Sequence, residues 1–196
     1  MTLRYEIRLS GEGGQGLVLA GKILAEAAAI YDERNATQSQ SYGPEARGGA
    51  SKSEVIISDG EIDYPKAETL DLQLALTQEA LDTYWKDLRP GGWLVIDSDA
   101  VTRLPEGEWR VVRVPFERLA RERLGKAVVA NIVALGVIVR LTRILSEEGT
   151  EKAILARVPR GTEELNRKAY RLGLQAADEL GLTLRGDALS CAAVPR

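Results

Sequence analysis

Gly11, Gly13, Gly14, Gln15 and Gly16, in the stretch GEGGQG, carry the clearest chemical signal in this sequence. Glycines let a backbone approach a ligand closely, and the exposed N–H groups of a following helix attract anions. Gly11, Gly13 and Gly16 match the G-x-G-x-x-G dinucleotide pattern, and Asp32 lies about where that pattern wants its ribose-binding acid. The nicotinamide reading requires that acid to end a second strand. Asp32 instead follows LAEAAAIY, which continues a helix, so the count is right and the element wrong. A P-loop reading from Gly16 to Gly21 and Lys22 also breaks down. Ile23 stands where a Ser or Thr should hold magnesium, and the residues between the glycines are apolar and helical. Gly21 reads better as a point of close helix packing. Two readings of the loop remain: an anion site, or a tight structural turn with no ligand.

The second constellation is SYGPEARGGASKSE, from Ser41 to Glu54. Pro44 fixes its own φ, while Gly43, Gly48 and Gly49 free the chain around it. The result is a shaped loop that presents Glu45 and Arg47. An arginine between glycines suits a phosphate or carboxylate. Equally, Arg47 could pair with Glu45 or with an acid of a partner chain. Tyr42 could stack on a ligand or simply pack beside the turn. Asn131 interrupts an apolar helix, and a buried amide there needs partners in a loop or another subunit. Trp85, Trp93 and Trp109 lack helical spacing and read as core or interface residues.

These loops need elements to hold them. Tyr5, Ile7 and Leu9 alternate with charged residues and lead into the glycines, as a first strand would. Leu17 to Tyr31 predicts a helix, followed by strand-compatible NATQSQSYG and the clearer strand SKSEVIIS. LDLQLALT (Leu70 to Thr77) and WLVID (Trp93 to Asp97) predict buried strands on either side of a helix from Gln78 to Leu88. WRVVRVP predicts a further strand, and helices follow over Phe116 to Leu124, Val128 to Leu145 and Thr162 to Leu180. This alternation predicts a single-domain α/β fold: an open, mainly parallel, Rossmann-like sheet flanked by helices, with right-handed crossovers. Both loops would then lie at the carboxyl edge of the sheet. Residues 1–190 form the domain on this reading, and 191–196 a frayed tail.

Composition narrows the chemistry. The 196 residues are 44% hydrophobic and 28% charged with a formal charge of −3, which suits a globular protein and gives no reason to expect nucleic acid. There is no histidine, which excludes Ser-His-Asp catalysis and the usual zinc sites. The lone Cys191 cannot form an internal disulfide or by itself hold an iron–sulfur cluster. The opening residues carry no apolar signal segment, and AVVANIVALGVIV is too short to span a bilayer, so a cytoplasmic protein without membrane contact is expected.

GEGGQGLVLAGKILAEAA, followed by TQSQSYGPEARGGASKSEVIISDGEIDYP, resembles the gamma subunit of 2-oxoacid:ferredoxin oxidoreductases. The likeness continues through DLQLALTQEALD, LRPGGWLVIDSDAV and ANIVALG, and is closest to the 2-oxoglutarate-type gamma chains. The resemblance implies a reaction in which a 2-oxoacid, coenzyme A and oxidised ferredoxin give acyl-CoA, CO2 and reduced ferredoxin. It also implies alpha and beta partner subunits, with a delta chain in some members. In the family these hold thiamine diphosphate, magnesium and the iron–sulfur clusters, and this chain holds no cofactor alone. Coenzyme A is the expected shared ligand, with Gly11, Gly13, Gly14, Gln15, Gly16, Tyr42, Gly43, Arg47 and Gly48 as candidate contacts and no catalytic residue. The alternatives are a purely structural docking subunit and a freestanding nicotinamide-linked reductase.

Overall fold

The computed structural model describes residues 3–41 and 49–180. Six strands form one mixed sheet in the order β2-β3-β1-β4-β5-β6. They are β1 (Arg4–Glu12), β2 (Asn35–Ser41), β3 (Ala50–Ser58), β4 (Leu70–Ala75), β5 (Leu88–Asp97) and β6 (Arg110–Val114). β1, β4, β5 and β6 run parallel, as the apolar strands led one to expect. The departure is β3, which lies antiparallel between β1 and β2. After α1 the chain still crosses over to a strand parallel to β1, but β3 then turns back as a hairpin and fills the position between β1 and β2. It places Ala50 beside Glu12 and Ser41 beside Lys52, so both ends of the 42–49 connection lie at the edge where the glycine loop begins.

The helices are α1 (Leu17–Glu26), α2 (Gln78–Tyr84), α3 (Phe116–Leu124), α4 (Ala130–Thr142), α5 (Glu147–Arg157) and α6 (Glu163–Glu179). A π-helical turn, Ala27–Tyr31, extends α1, and 3-10 turns follow α2 and precede α4. The main core forms where α1, α3, α4, α5 and α6 cover one sheet face, joined through Ile7, Leu9, Val55, Leu72, Leu74 and Val95. α4 is buried nearly all round, which explains its weakly one-sided apolar pattern. The other face is half polar. Leu81, Leu94, Ile96 and Val101 make a smaller cluster, against which Trp85 and Trp109 pack edge to face. Trp93 belongs to the main core instead, with the Arg110 guanidinium over its ring.

The helix expected over Val128 to Leu145 ends at Thr142, where Arg143 adopts φ 50°. α5 then forms over residues given no element by sequence. Ser146 is its N-cap, accepting from the Gly149 N–H at 3.1 Å, and Glu147 and Glu148 occupy the first turn. The strand at Trp93 starts earlier, at Leu88, through Pro90-Gly91-Gly92. Cys191 and the proposed tail lie outside the described residues. Among the described residues no helix is long and apolar enough to cross a membrane.

Candidate functional site

β1 delivers its glycines to the carboxyl edge of the sheet, and α1 starts directly behind them. Gly14 and Gly16 adopt φ 95° and 73°, values that tolerate glycine best. Gly11 is closed by packing: a Cβ there would lie 3.2 Å from Leu76 Cβ and 3.3 Å from Leu17 Cδ1. Gln15 braces the turn from within, its amide N–H donating to the Glu12 carbonyl and its Oε1 accepting from the Glu12 N–H at 2.8 Å. Gly13 differs from the rest. Its φ is not positive and a Cβ would meet nothing within 4 Å. The described residues make no demand for glycine at that position.

α1 begins at Gly16 with no side-chain cap and no acid in its first turn. Its amides are therefore aimed at the loop without a resident carboxylate among the described residues. The loop opens on a cleft of about 190 Å³, lined among others by Gly14, Gln15, Leu76, Asp97 and the exposed Val128. Asp97 is buried and already engaged. Its oxygens accept from the N–H groups of Asp99 at 2.9 Å, Ala100 at 3.3 Å and Glu117 at 3.0 Å. That carboxylate closes the turn after β5 and caps α3. α3 is thus capped at the cleft by Asp97, whereas α1 has no side-chain cap there.

Asn131 reaches across from α4, as a buried amide in an apolar helix requires. Its Nδ2 donates to the Gly16 carbonyl at 3.1 Å, and its Oδ1 accepts from the Ile132 N–H at 2.9 Å. The partner is thus the glycine loop of the same chain. Tyr42, Gly43, Arg47 and Gly48, also candidates on sequence, lie outside the described residues, as do Pro44 and Glu45.

Both competing motif readings meet a physical obstacle. Residues 17–21 are helical, so no phosphate-cradling loop runs from Gly16 to Lys22, and Gly21 lets α1 sit against Ser53 of β3. Asp32 follows the π-helical turn and accepts from both the N–H (2.7 Å) and the hydroxyl of Ser146. It is engaged in orienting the cap of α5. We expect Asp32→Ala to destabilise the chain by about 1–2 kcal/mol in urea unfolding. NADH should give no saturable tryptophan quenching at micromolar concentration with either protein.

A buried polar cluster on the opposite sheet face was not legible as a unit. Arg8 is 1% exposed and bonds Glu54 at 2.6 Å, Asp87 at 2.7 Å and the Tyr84 carbonyl at 2.9 Å. The Tyr84 hydroxyl donates to the Ala50 carbonyl at 2.9 Å, and burial raises its pKa. Next to this cluster, burial also raises the pKa of Asp71, although the Glu6 N–H and Arg89 oppose the shift. Only the alternation of Glu6, Arg8, Glu54 and Asp71 along three strands could have signalled this face. Among the described residues no group of three or more His, Cys, Asp or Glu side chains is placed to hold a metal.

Comparison with known proteins agrees with this architecture. The sequence pattern of the family described as pyruvate ferredoxin/flavodoxin oxidoreductase matches residues 6–176. The 2-oxoglutarate synthase subunit KorC of Methanocaldococcus jannaschii is 53% identical over 182 residues, covering 92% of this chain and 97% of that protein. The crystal structure of the keto/oxoacid ferredoxin oxidoreductase gamma subunit of Geobacter sulfurreducens is 56% identical, with a TM-score of 0.84 over 90% of this chain and 98% of that one. A 2-oxoglutarate:ferredoxin oxidoreductase of Magnetococcus marinus, solved with 2-oxoglutarate, coenzyme A and succinyl-CoA bound, shares the fold at 21% identity and a TM-score of 0.79. It covers 90% of this chain and 31% of that one. The family match over residues 6–176 and the 53% identity along nearly the whole sequence make this chain a member of the pyruvate ferredoxin/flavodoxin oxidoreductase family.

Proposed function

We propose that this chain is the gamma subunit of a cytoplasmic 2-oxoglutarate:ferredoxin oxidoreductase and that its glycine loop binds coenzyme A. The KorC relatives support the choice of 2-oxoacid, and the Magnetococcus marinus enzyme, part of which shares this fold, was solved with coenzyme A bound. The partners are alpha and beta subunits, with a delta chain in some assemblies, and ferredoxin is reached through the complex. Thiamine diphosphate, magnesium and iron–sulfur clusters belong to those partners. One cysteine, no histidine and no acidic cluster among the described residues make a poor donor set for any of them here. The chain therefore supplies binding rather than redox chemistry, and alone it turns nothing over.

The observation that carries the coenzyme A reading is Gly13. Gly11 is required by packing and Gly14 and Gly16 by backbone conformation, while Gly13 has neither reason. A Cβ there would meet none of the described residues within 4 Å. Close approach of a ligand accounts for its absence. The phosphates of coenzyme A suit that position, since backbone N–H groups and the helix dipole favour negative charge. Arg47 is the proposed second contact.

In the assembled complex, Gly13→Val should raise KM for coenzyme A at least tenfold, roughly 1.4 kcal/mol, and leave thermal stability unchanged. Arg47→Ala should weaken coenzyme A by about 1.5–3 kcal/mol, the worth of a hydrogen bond to a charged group. If both variants keep the wild-type KM while the subunits separate on gel filtration, the loops are docking surfaces and the ligand role is wrong.

A further inference from the structure

The link between α4 and the glycine turn has a use beyond packing. Resting on the coenzyme A reading above, we propose that Asn131 is a positioning residue which aims the Leu17 amide at the ligand. The Gly16 carbonyl receives two donors: the Ala20 N–H at 3.0 Å, from within α1, and Asn131 Nδ2 at 3.1 Å, from α4. In a trans peptide the C=O and the next N–H point in opposite directions. Fixing the Gly16 oxygen along α1 therefore fixes the Leu17 N–H in the opposite direction, away from the body of the helix. The ordinary helical bond restrains that peptide along the axis only, and the amide from the side removes its remaining tilt.

Three further observations agree. Asn131 is itself held, because its Oδ1 accepts from the Ile132 N–H at 2.9 Å. It is 5% exposed, so water does not compete for these bonds. Its Cγ would lie 3.2 Å from a Cβ at residue 16, so the amide fills the space that a side chain there would need. The segment leading into α4, with Ala127, Val128 and Ala130, lines the cleft beside the loop. Asn131 therefore connects the cleft wall to the amide that faces the ligand.

The test uses the assembled oxidoreductase, with KM for coenzyme A compared against KM for 2-oxoglutarate. Asn131→Leu removes both bonds without adding charge. It should raise the coenzyme A KM about tenfold and leave the 2-oxoglutarate KM within twofold. Asn131→Asp should raise it further. If Asn131→Leu prevents assembly, Asn131→Ser, with a small hydroxyl donor, is measured in its place and should show a rise of several-fold. A purely structural amide would lower the melting temperature and move neither KM. That result, or a rise confined to the aspartate variant, overturns the proposal. Gly13→Val separates this inference from the reading beneath it. A raised KM for Gly13→Val with a wild-type KM for Asn131→Leu sinks the positioning role alone. Wild-type values for both sink the two together.

Discussion

Gly173→Ala is expected to destabilise this protein by about 3 kcal/mol or more, lowering its melting temperature by roughly 6–12 °C in circular dichroism. α4 and α6 cross with their backbones touching. A Cβ at Gly173 would fall on the Val133 carbonyl oxygen and within 3.0 Å of Gly136 Cα. From the other side, a Cβ at Gly136 would fall on the Tyr170 carbonyl oxygen and 2.9 Å from both Gly173 Cα and the Leu174 nitrogen. Alanine favours a helix over glycine by about 1 kcal/mol, so on an exposed helix the change would help. Here the obstacle is backbone, which cannot rotate aside, and the two helices must separate. Separation opens the core around Val133, Val137, Ala169 and Tyr170, all fully buried. A melting temperature at or above wild type would refute this account of the crossing.

Arg8→Met should be the second severe change, at about 3–5 kcal/mol in urea unfolding, because it leaves a buried carboxylate short of its main partner. Arg8 satisfies Glu54 through two nitrogens, at 2.6 and 2.7 Å, while Lys52 contributes one contact at 2.9 Å. Asp87, half exposed, can turn to water when Arg8 is lost; Glu54 cannot. The double variant Arg8→Met/Glu54→Leu should therefore be more stable than Arg8→Met alone. If the two losses simply add, the pair is not the unit that holds this face.

The parts of the fold that rest on apolar runs were legible in the sequence. β4 and β5 are buried among other elements and spell it in Leu, Val and Ile, and α3 occupies the span Phe116 to Leu124 that its pattern predicts. Gly21 and Asn131 were also readable, one as a packing point and the other as an amide in need of a partner. What escaped depends on contacts distant in sequence. β3 looks like any half-buried strand, and nothing local states that it runs antiparallel to β1. α5 has almost no apolar bias to one side, because it packs on α1, α4 and α6 at once. Its only local signature is Ser146 followed by two glutamates. Within the candidate site, glycine identity was visible, but the separate reasons for Gly11, Gly13 and Gly16 became distinguishable only with neighbours in place.

Asp97 has a consequence for anything that enters the cleft. Its buried charge sits at the start of α3, while the start of α1 across the opening has no such counterweight. The electric field over the mouth is therefore lopsided, attractive on one bank and quenched on the other. On the coenzyme A reading, a long molecule with phosphates at one end would be turned to a single heading there, phosphates toward α1 and its uncharged length away from them. The placement of one carboxylate would thereby set the polarity of that guest before any of its groups is individually recognised.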